Sequence, residues 1–192
     1  MSEQFSRCGW VKLSDETYVA YHDEEWGKPL HDDHALFELF SLETQSAGLS
    51  WLTVLKKREG YRNAFSHFML EKVARMGEMD VERILQEGEV IKSRPKIEAI
   101  IHNAKLFEAI KKEFGSLHNY FWGYVDGKTI INDIPDYKTA PCTSNISDAL
   151  TKDLKKRGFK FVGSTNIYAF MQACGMVNDH ENSCMCKYMT HE

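Results

Sequence analysis

Residues 147 to 175, SDALTKDLKKRGFKFVGSTNIYAFMQACG, have the pattern of two helices joined by a tight turn. Ala149, Leu150 and Leu154 recur at helical spacing, and Gly158 stands where a helix C-cap belongs. A second helix begins after the short hairpin Phe159-Lys160-Phe161-Val162-Gly163. Ser164 and Thr165 are residue types that cap a helix, and Ile167, Phe170, Met171 and Cys174 supply a buried face. Gly163 just before a helix N-terminus can present backbone N–H groups to an anion, and the helix dipole favours negative charge there. Glycine also permits close approach and dihedrals that a valine avoids. Lys152, Lys155, Lys156, Arg157 and Lys160 make this the most basic part of the chain, as a surface that tracks phosphates requires. The same spacing fits a helical hairpin packed for stability alone.

Working outward, most of the chain reads helical. Asp33 is a good N-cap for a helix to about Ser46, with Ala35, Leu36, Leu39, Phe40 and Leu42 at helical spacing. A short apolar helix is expected from Trp51 to Lys57, and Asp80 can cap Val81 to Glu87. Pro95 opens a longer helix that turns Ile97, Ile100, Ile101, Ala104 and Ile110 inward and stops at Gly115, and Ser116 starts another short one. From Val125 to Ser144, Gly127, Pro135 and Pro141 stand among polar residues without helical periodicity, which predicts one long surface connection. The expected fold class is all-α, a helical bundle.

The 192 residues suit a single domain with a sizeable core. The start, Met1-Ser2-Glu3-Gln4-Phe5-Ser6-Arg7, lacks an apolar signal core, and no stretch approaches the roughly 18 apolar residues of a membrane helix. A cytoplasmic monomer with no membrane partner is expected. The net charge of −4 argues mildly against nucleic acid, an objection that only the local lysine cluster answers.

Five cysteines, Cys8, Cys142, Cys174, Cys184 and Cys186, are an odd number without a secretory signal, so thiols or metal ligands are expected rather than disulfides. Cys8 and His22 near the front, with His180-x-x-x-Cys184 near the back, make a closed tetrahedral zinc set of two thiolates and two imidazoles. On spacing alone, Cys174, Cys186 and His191 compete for the same positions. Four protein ligands would leave no place for a water, so such an ion would be structural and would staple the two ends together.

Several ordered motifs add a resemblance. Arg7-Cys8-Gly9-Trp10, Tyr18-Val19-Ala20-Tyr21-His22-Asp23-Glu24-Glu25-Trp26-Gly27, Leu42-Glu43 and Ala47-Gly48-Leu49-Ser50-Trp51 resemble the zinc-containing 3-methyladenine DNA glycosylase I family. So do Lys155 to Gly163, Asn178-Asp179-His180 and Cys184, and the likeness runs from Arg7 to about Cys186. It implies a helix-hairpin-helix glycosylase bundle over residues 1–192, with the hairpin at about 147–175 and terminal segments 7–27 and 176–186 joined by one zinc per chain. The implied ligands are Cys8, His22, His180 and Cys184.

By the same resemblance, Glu43 is the catalytic residue of a base pocket walled by Trp10, Tyr18, Tyr21, Trp26 and Trp51. Lys160, Gly163, Ser164 and Thr165 would hold DNA phosphate. The implied partner is double-stranded DNA containing alkylated adenine. The implied reaction is hydrolytic release of 3-methyladenine after the nucleotide is flipped out of the duplex.

The chemistry is coherent in its own right. An alkylated adenine is cationic, so its glycosidic bond is already weakened and the base leaves neutral. Aromatic faces add stacking and a cation-π attraction, and an ionised Glu43 can accept from the exocyclic amino group of adenine, where guanine presents an acceptor. Residues Ser164 to Cys174 contain neither a carboxylate to stabilise a sugar cation nor a lysine nucleophile, which implies simple hydrolysis without strand cleavage. Without the resemblance, Trp10 and Trp26 read as core residues. A non-enzymatic binder of alkylated DNA is the alternative, recognised by the absence of free base. A zinc hydrolase would need an open coordination position.

Overall fold

The computed structural model describes residues 6–189. Met1 to Phe5, part of the start read for a signal core, and His191, one of the competing ligands, lie outside the described residues. The α-helices are, in order, α1 (Glu16–Glu24), α2 (Asp33–Gln45), α3 (Trp51–Leu55), α4 (Arg58–Ala64), α5 (Leu70–Val73) and α6 (Glu78–Glu87). They continue with α7 (Arg94–Phe114), α8 (Leu117–Trp122), α9 (Asn145–Arg157) and α10 (Ser164–Ala173). Two-residue strands β1 (Ile130–Ile131) and β2 (Val177–Asn178) pair in parallel. The protein is an all-α bundle, and no helix among the described residues is long and apolar enough to cross a membrane.

α9 and α10 form the helical hairpin. Gly158 ends α9 at φ 93°, the left-handed conformation that favours glycine. Leu150 and Leu154 are buried, whereas Ala149 is exposed, because the buried stripe passes through Ser147, Leu150, Thr151 and Leu154. Gly163, rather than Ser164 or Thr165, is the N-cap of α10. The Ser164 hydroxyl is drawn instead to α9, where it bonds Ser147 Oγ at 2.8 Å and the Asp148 carboxylate. Three features come from α7 and hold the hairpin: Asn103 accepts from Lys160 N–H at 2.9 Å, donates to Lys160 O at 3.1 Å, and is flanked by His102, whose Nε2 lies 2.8 Å from Gly158 O.

α2 runs through the middle, buried from Leu36 to Gln45 apart from half-buried Leu39. Its N-cap is Asp32, which accepts from Ala35 N–H at 2.8 Å, while Asp33 starts the helix and accepts from His118 N–H at 2.9 Å. Asp80 likewise lies inside the first turn of α6 and accepts from Gly77 N–H at 3.0 Å. An aromatic core joins the hairpin to α2, α7 and α8. Phe40–Phe107 ring centroids are 4.9 Å apart, Phe107–Phe159 4.8 Å and Phe121–Phe170 4.8 Å. α7 buries Ile97, Ile100, Ile101, Ala104 and Ile110 and ends at Gly115, as its pattern predicts. A second, smaller cluster packs Cys8, Val11, Cys184 and Cys186 against Trp10 and Trp26, so the two termini share their own core.

Candidate active site and metal centre

Cys8, His22, His180 and Cys184 are buried together, with their ligand atoms all within 4.8 Å of one another. His180 Nδ1 lies 3.3 Å from Cys8 Sγ and 3.5 Å from Cys184 Sγ, and His22 Nε2 lies 3.5 Å from Cys184 Sγ. The opposite ring nitrogens already have acceptors. His22 Nδ1 is 2.7 Å from Asp23 Oδ1, and His180 Nε2 is 3.0 Å from the Trp26 carbonyl. Those bonds fix the tautomers that turn lone pairs towards the sulfurs. Arg7 in turn grips Asp23 through Nη2 at 2.8 Å.

The donor chemistry fits a soft divalent cation. Contact with Cys8, then with His180 and His22, holds the Cys184 thiol far below its usual range against the opposing effect of burial. The hydrogen bond to Cys184, then burial, pushes Cys8 far above its own. A bound cation lets both sulfurs serve as thiolates. Cys174 is remote from the set, buried in the main core with its thiol 3.7 Å from Met171 O. Cys186 falls outside the four-residue set and groups instead with His22 and Asp23.

Beside this centre lies a cavity of about 400 Å³. Trp10, Tyr18, Tyr21, Trp26, Trp51 and Glu43 all line it. The rings support each other: Trp10 packs on Tyr18 at 5.1 Å and on Trp26 at 5.0 Å, and Tyr21 on Trp51 at 5.5 Å. Trp26 also stands edge-on to the metal-set ring of His180 at 4.7 Å, so the centre and the pocket share a wall. The buried indole Nε1 of Trp51 has no hydrogen-bond partner among the described residues. A larger cavity, about 550 Å³, lies against Tyr21 and Leu42, but its Glu25 and Glu38 are neutralised by Arg58 and Arg62 at 2.6 Å each.

Glu43 sits in the last turn of α2, only 5% exposed. Burial pushes its carboxyl up to about 8, a hydrogen bond from Ser46 opposing the rise. Burial thus favours the protonated form at this position, counter to the expectation of a standing negative charge. A cation brought into contact favours the ionised form. The backbone around Glu43 is fastened from three sides. Its carbonyl accepts from Ser46 Oγ at 2.8 Å and Asn166 Nδ2 at 2.7 Å, and Lys96 Nζ holds the next carbonyls, Gln45 at 2.9 Å and Ala47 at 2.7 Å.

The hairpin residues fall around the α10 N-terminus. Lys160 and Thr165 are exposed, and Gly163 is half-buried. Gly163 has φ −139° and ψ 161°, extended backbone open to any residue, so no dihedral demands glycine there. A β-carbon at Gly163 would meet nothing within 4 Å, so packing within the protein does not demand glycine there either. Arg157 does not join the basic surface. It binds Asp153 at 2.7 Å and Glu113 at 2.6 Å and lies over Phe114 and Tyr120, leaving Lys152, Lys155, Lys156 and Lys160 exposed.

The cavity also takes residues that periodicity had not singled out. Tyr137 and Ala140 come from the long connection, and Gln172 and Asp179 from the far side. Asp179 is 2% exposed and accepts from Tyr168 Oη at 2.6 Å, Asn132 Nδ2 at 2.7 Å and Gln172 Nε2 at 2.9 Å. Its place in the motif Asn178-Asp179-His180 was the available signal; for Tyr137 there was none.

The profile of the methyladenine glycosylase family matches residues 10–188. A DNA-3-methyladenine glycosylase of Haemophilus influenzae is 48% identical over 95% of this chain and 98% of its own length. The crystal structure of a 3-methyladenine DNA glycosylase I superposes with a TM-score of 0.91 and 51% identity, over 94% of this chain and 99% of that one. A variant of a 3-methyladenine DNA glycosylase I, solved in complex with 3-methyladenine, gives a TM-score of 0.89 at 39% identity, over 93% of this chain and 95% of that one.

Proposed function

The chain belongs to the methyladenine glycosylase family, and on that premise we propose that this N-glycosyl hydrolase releases 3-methyladenine from alkylated double-stranded DNA by hydrolysis alone. The observation that carries the reading is Glu43, a carboxyl buried at the back of an aromatic pocket large enough for one purine. A neutral purine gains stacking there. A cationic one gains stacking, a cation-π attraction and, because its charge favours ionised Glu43 with the proton released to water, an ion pair in low dielectric.

The chain's residues divide the work in this reading. Lys160 and the free N–H groups of the α10 first turn hold phosphate beside the pocket, which positions an extruded nucleotide for entry. Trp10, Tyr18, Tyr21, Trp26 and Trp51 exclude water from the base and hold it as it leaves. Cys8, His22, His180 and Cys184 would hold one zinc ion, which supplies a structural staple and no catalytic step. The enzyme acts as a single-domain, cytoplasmic monomer in this account.

The test is to incubate the protein with methylated DNA and identify the released bases by chromatography. Free 3-methyladenine with intact strands is expected. DNA that is bound but yields no free base would replace the enzyme by a lesion-binding protein, and cleaved strands would overturn the simple hydrolysis.

A further inference from the structure

The pocket's outer wall comes from the connection between α8 and α9, the part of the chain without periodicity. Tyr137 lines the cavity from a single 3-10 turn, Tyr137–Thr139, and several bonds hold it in place. Its backbone N–H donates to Glu181 Oε1 at 2.7 Å, and Gly9 N–H donates to Glu181 Oε2, also at 2.7 Å. One buried carboxylate thus ties the connection to the segment carrying Trp10. Just upstream, Ile134 N–H donates to Asn182 Oδ1 at 3.1 Å and Asn182 N–H to Ile134 O at 2.8 Å. Asp136 caps the turn, accepting from Lys138 N–H at 2.8 Å.

The Tyr137 ring lies directly on Gly9, where a β-carbon would come within 2.9 Å of two ring carbons. It therefore extends the aromatic wall formed by Trp10 with Tyr18 and Trp26. Yet 36% of Tyr137 stays exposed. Because its backbone is held by these bonds, seating a ligand against the half-open ring orders no further loop.

We propose that Tyr137 is a further specificity-determining residue, whose ring contacts the alkylated base and sets affinity for it. This rests on the reading that the pocket receives 3-methyladenine. The ring acts by contact and water exclusion, holding the base rather than moving a proton.

The test measures binding of free 3-methyladenine to the full chain, together with single-turnover excision at saturating enzyme. Tyr137→Ala and Tyr137→Leu should weaken base binding at least about fivefold, and Tyr137→Phe less than about twofold. Metal content and affinity for undamaged DNA should match the parent in all three, and saturated excision should fall no further than base binding does. Tyr137→Leu still covers Gly9, so it decides the matter should Tyr137→Ala lose its fold. Parent-like base binding in the leucine variant would overturn the proposal, as would a phenylalanine variant as weak as the alanine one. A parent protein that neither binds nor releases 3-methyladenine would remove the functional reading beneath it. A parent that does both, with leucine and alanine variants unchanged, would remove only the role of Tyr137.

Discussion

The side-chain amide of Asn166, three residues beyond the hairpin glycine Gly163, donates a 2.7 Å hydrogen bond to the backbone carbonyl of Glu43. The helix end that would meet phosphate and the carboxyl that would meet the base are thereby one mechanical unit. Asn166→Ala removes that link without touching either contact surface. Excision of 3-methyladenine is expected to fall about tenfold, with a stability loss of about 1 kcal/mol and unchanged affinity for undamaged DNA. Parent-rate excision, measured in single turnover, would mean that the bond only holds α10 to α2.

The buried thiol–imidazole set leads to a metal prediction. Natively purified protein should contain one zinc per chain by elemental analysis, and Cys184→Ala should lose both the metal and several degrees of melting temperature. Full stability in a metal-free Cys184→Ala protein would remove the staple.

On the hairpin, the two kinds of cation should behave differently. Lys160→Ala, which removes an exposed charge, should weaken DNA binding modestly and lower its salt slope by about 1. Arg157→Ala should leave the slope unchanged, since Glu113 and Asp153 already neutralise that guanidinium. Equal effects in a salt titration would contradict this division.

Much of this was legible in the sequence, for identifiable reasons. The α7 stripe and its Gly115 stop follow from periodicity and from a left-handed C-cap at φ 85°. The terminal Cys and His residues could be suspected from their chemistry, but only the tertiary fold separates Cys184, which joins Cys8, His22 and His180, from Cys186 two positions on, which joins His22 and Asp23. Caps were misplaced by one residue at Asp33 and Ser164 because a tertiary bond competes for each: His118 N–H for the first, Ser147 and Asp148 for the second. Helices α1, α4 and α5 are short and lean on neighbours, so they carry little periodic signal of their own. Tyr137 was invisible because an aperiodic connection gives no face to assign, and its position depends on Glu181 far along the chain.

Burial of Glu43 has a pH signature. Its carboxyl is pushed up to about 8 in the folded protein, so the folded state binds the proton more tightly than the unfolded chain does. The contribution to stability is fully present below the ordinary carboxylate range and is lost as pH rises through about 8. Thermal melts of the parent and Glu43→Gln should therefore diverge from about pH 5 to about pH 8, the glutamine variant becoming relatively more stable, and run parallel above that. A constant difference across the range would show that Glu43 is solvated.

In the proposed function, Glu43 selects the lesion by meeting a cationic base inside an aromatic pocket. The most direct measurement is single-turnover release of 3-methyladenine from methylated DNA by the parent and by Glu43→Gln, with metal content and affinity for undamaged DNA measured on the same samples. The amide keeps the shape and one acceptor but cannot form the ion pair. The account predicts a fall of about 100-fold in release, with metal and DNA affinity unchanged; release at the parent rate by a folded, metal-loaded Glu43→Gln protein would contradict it.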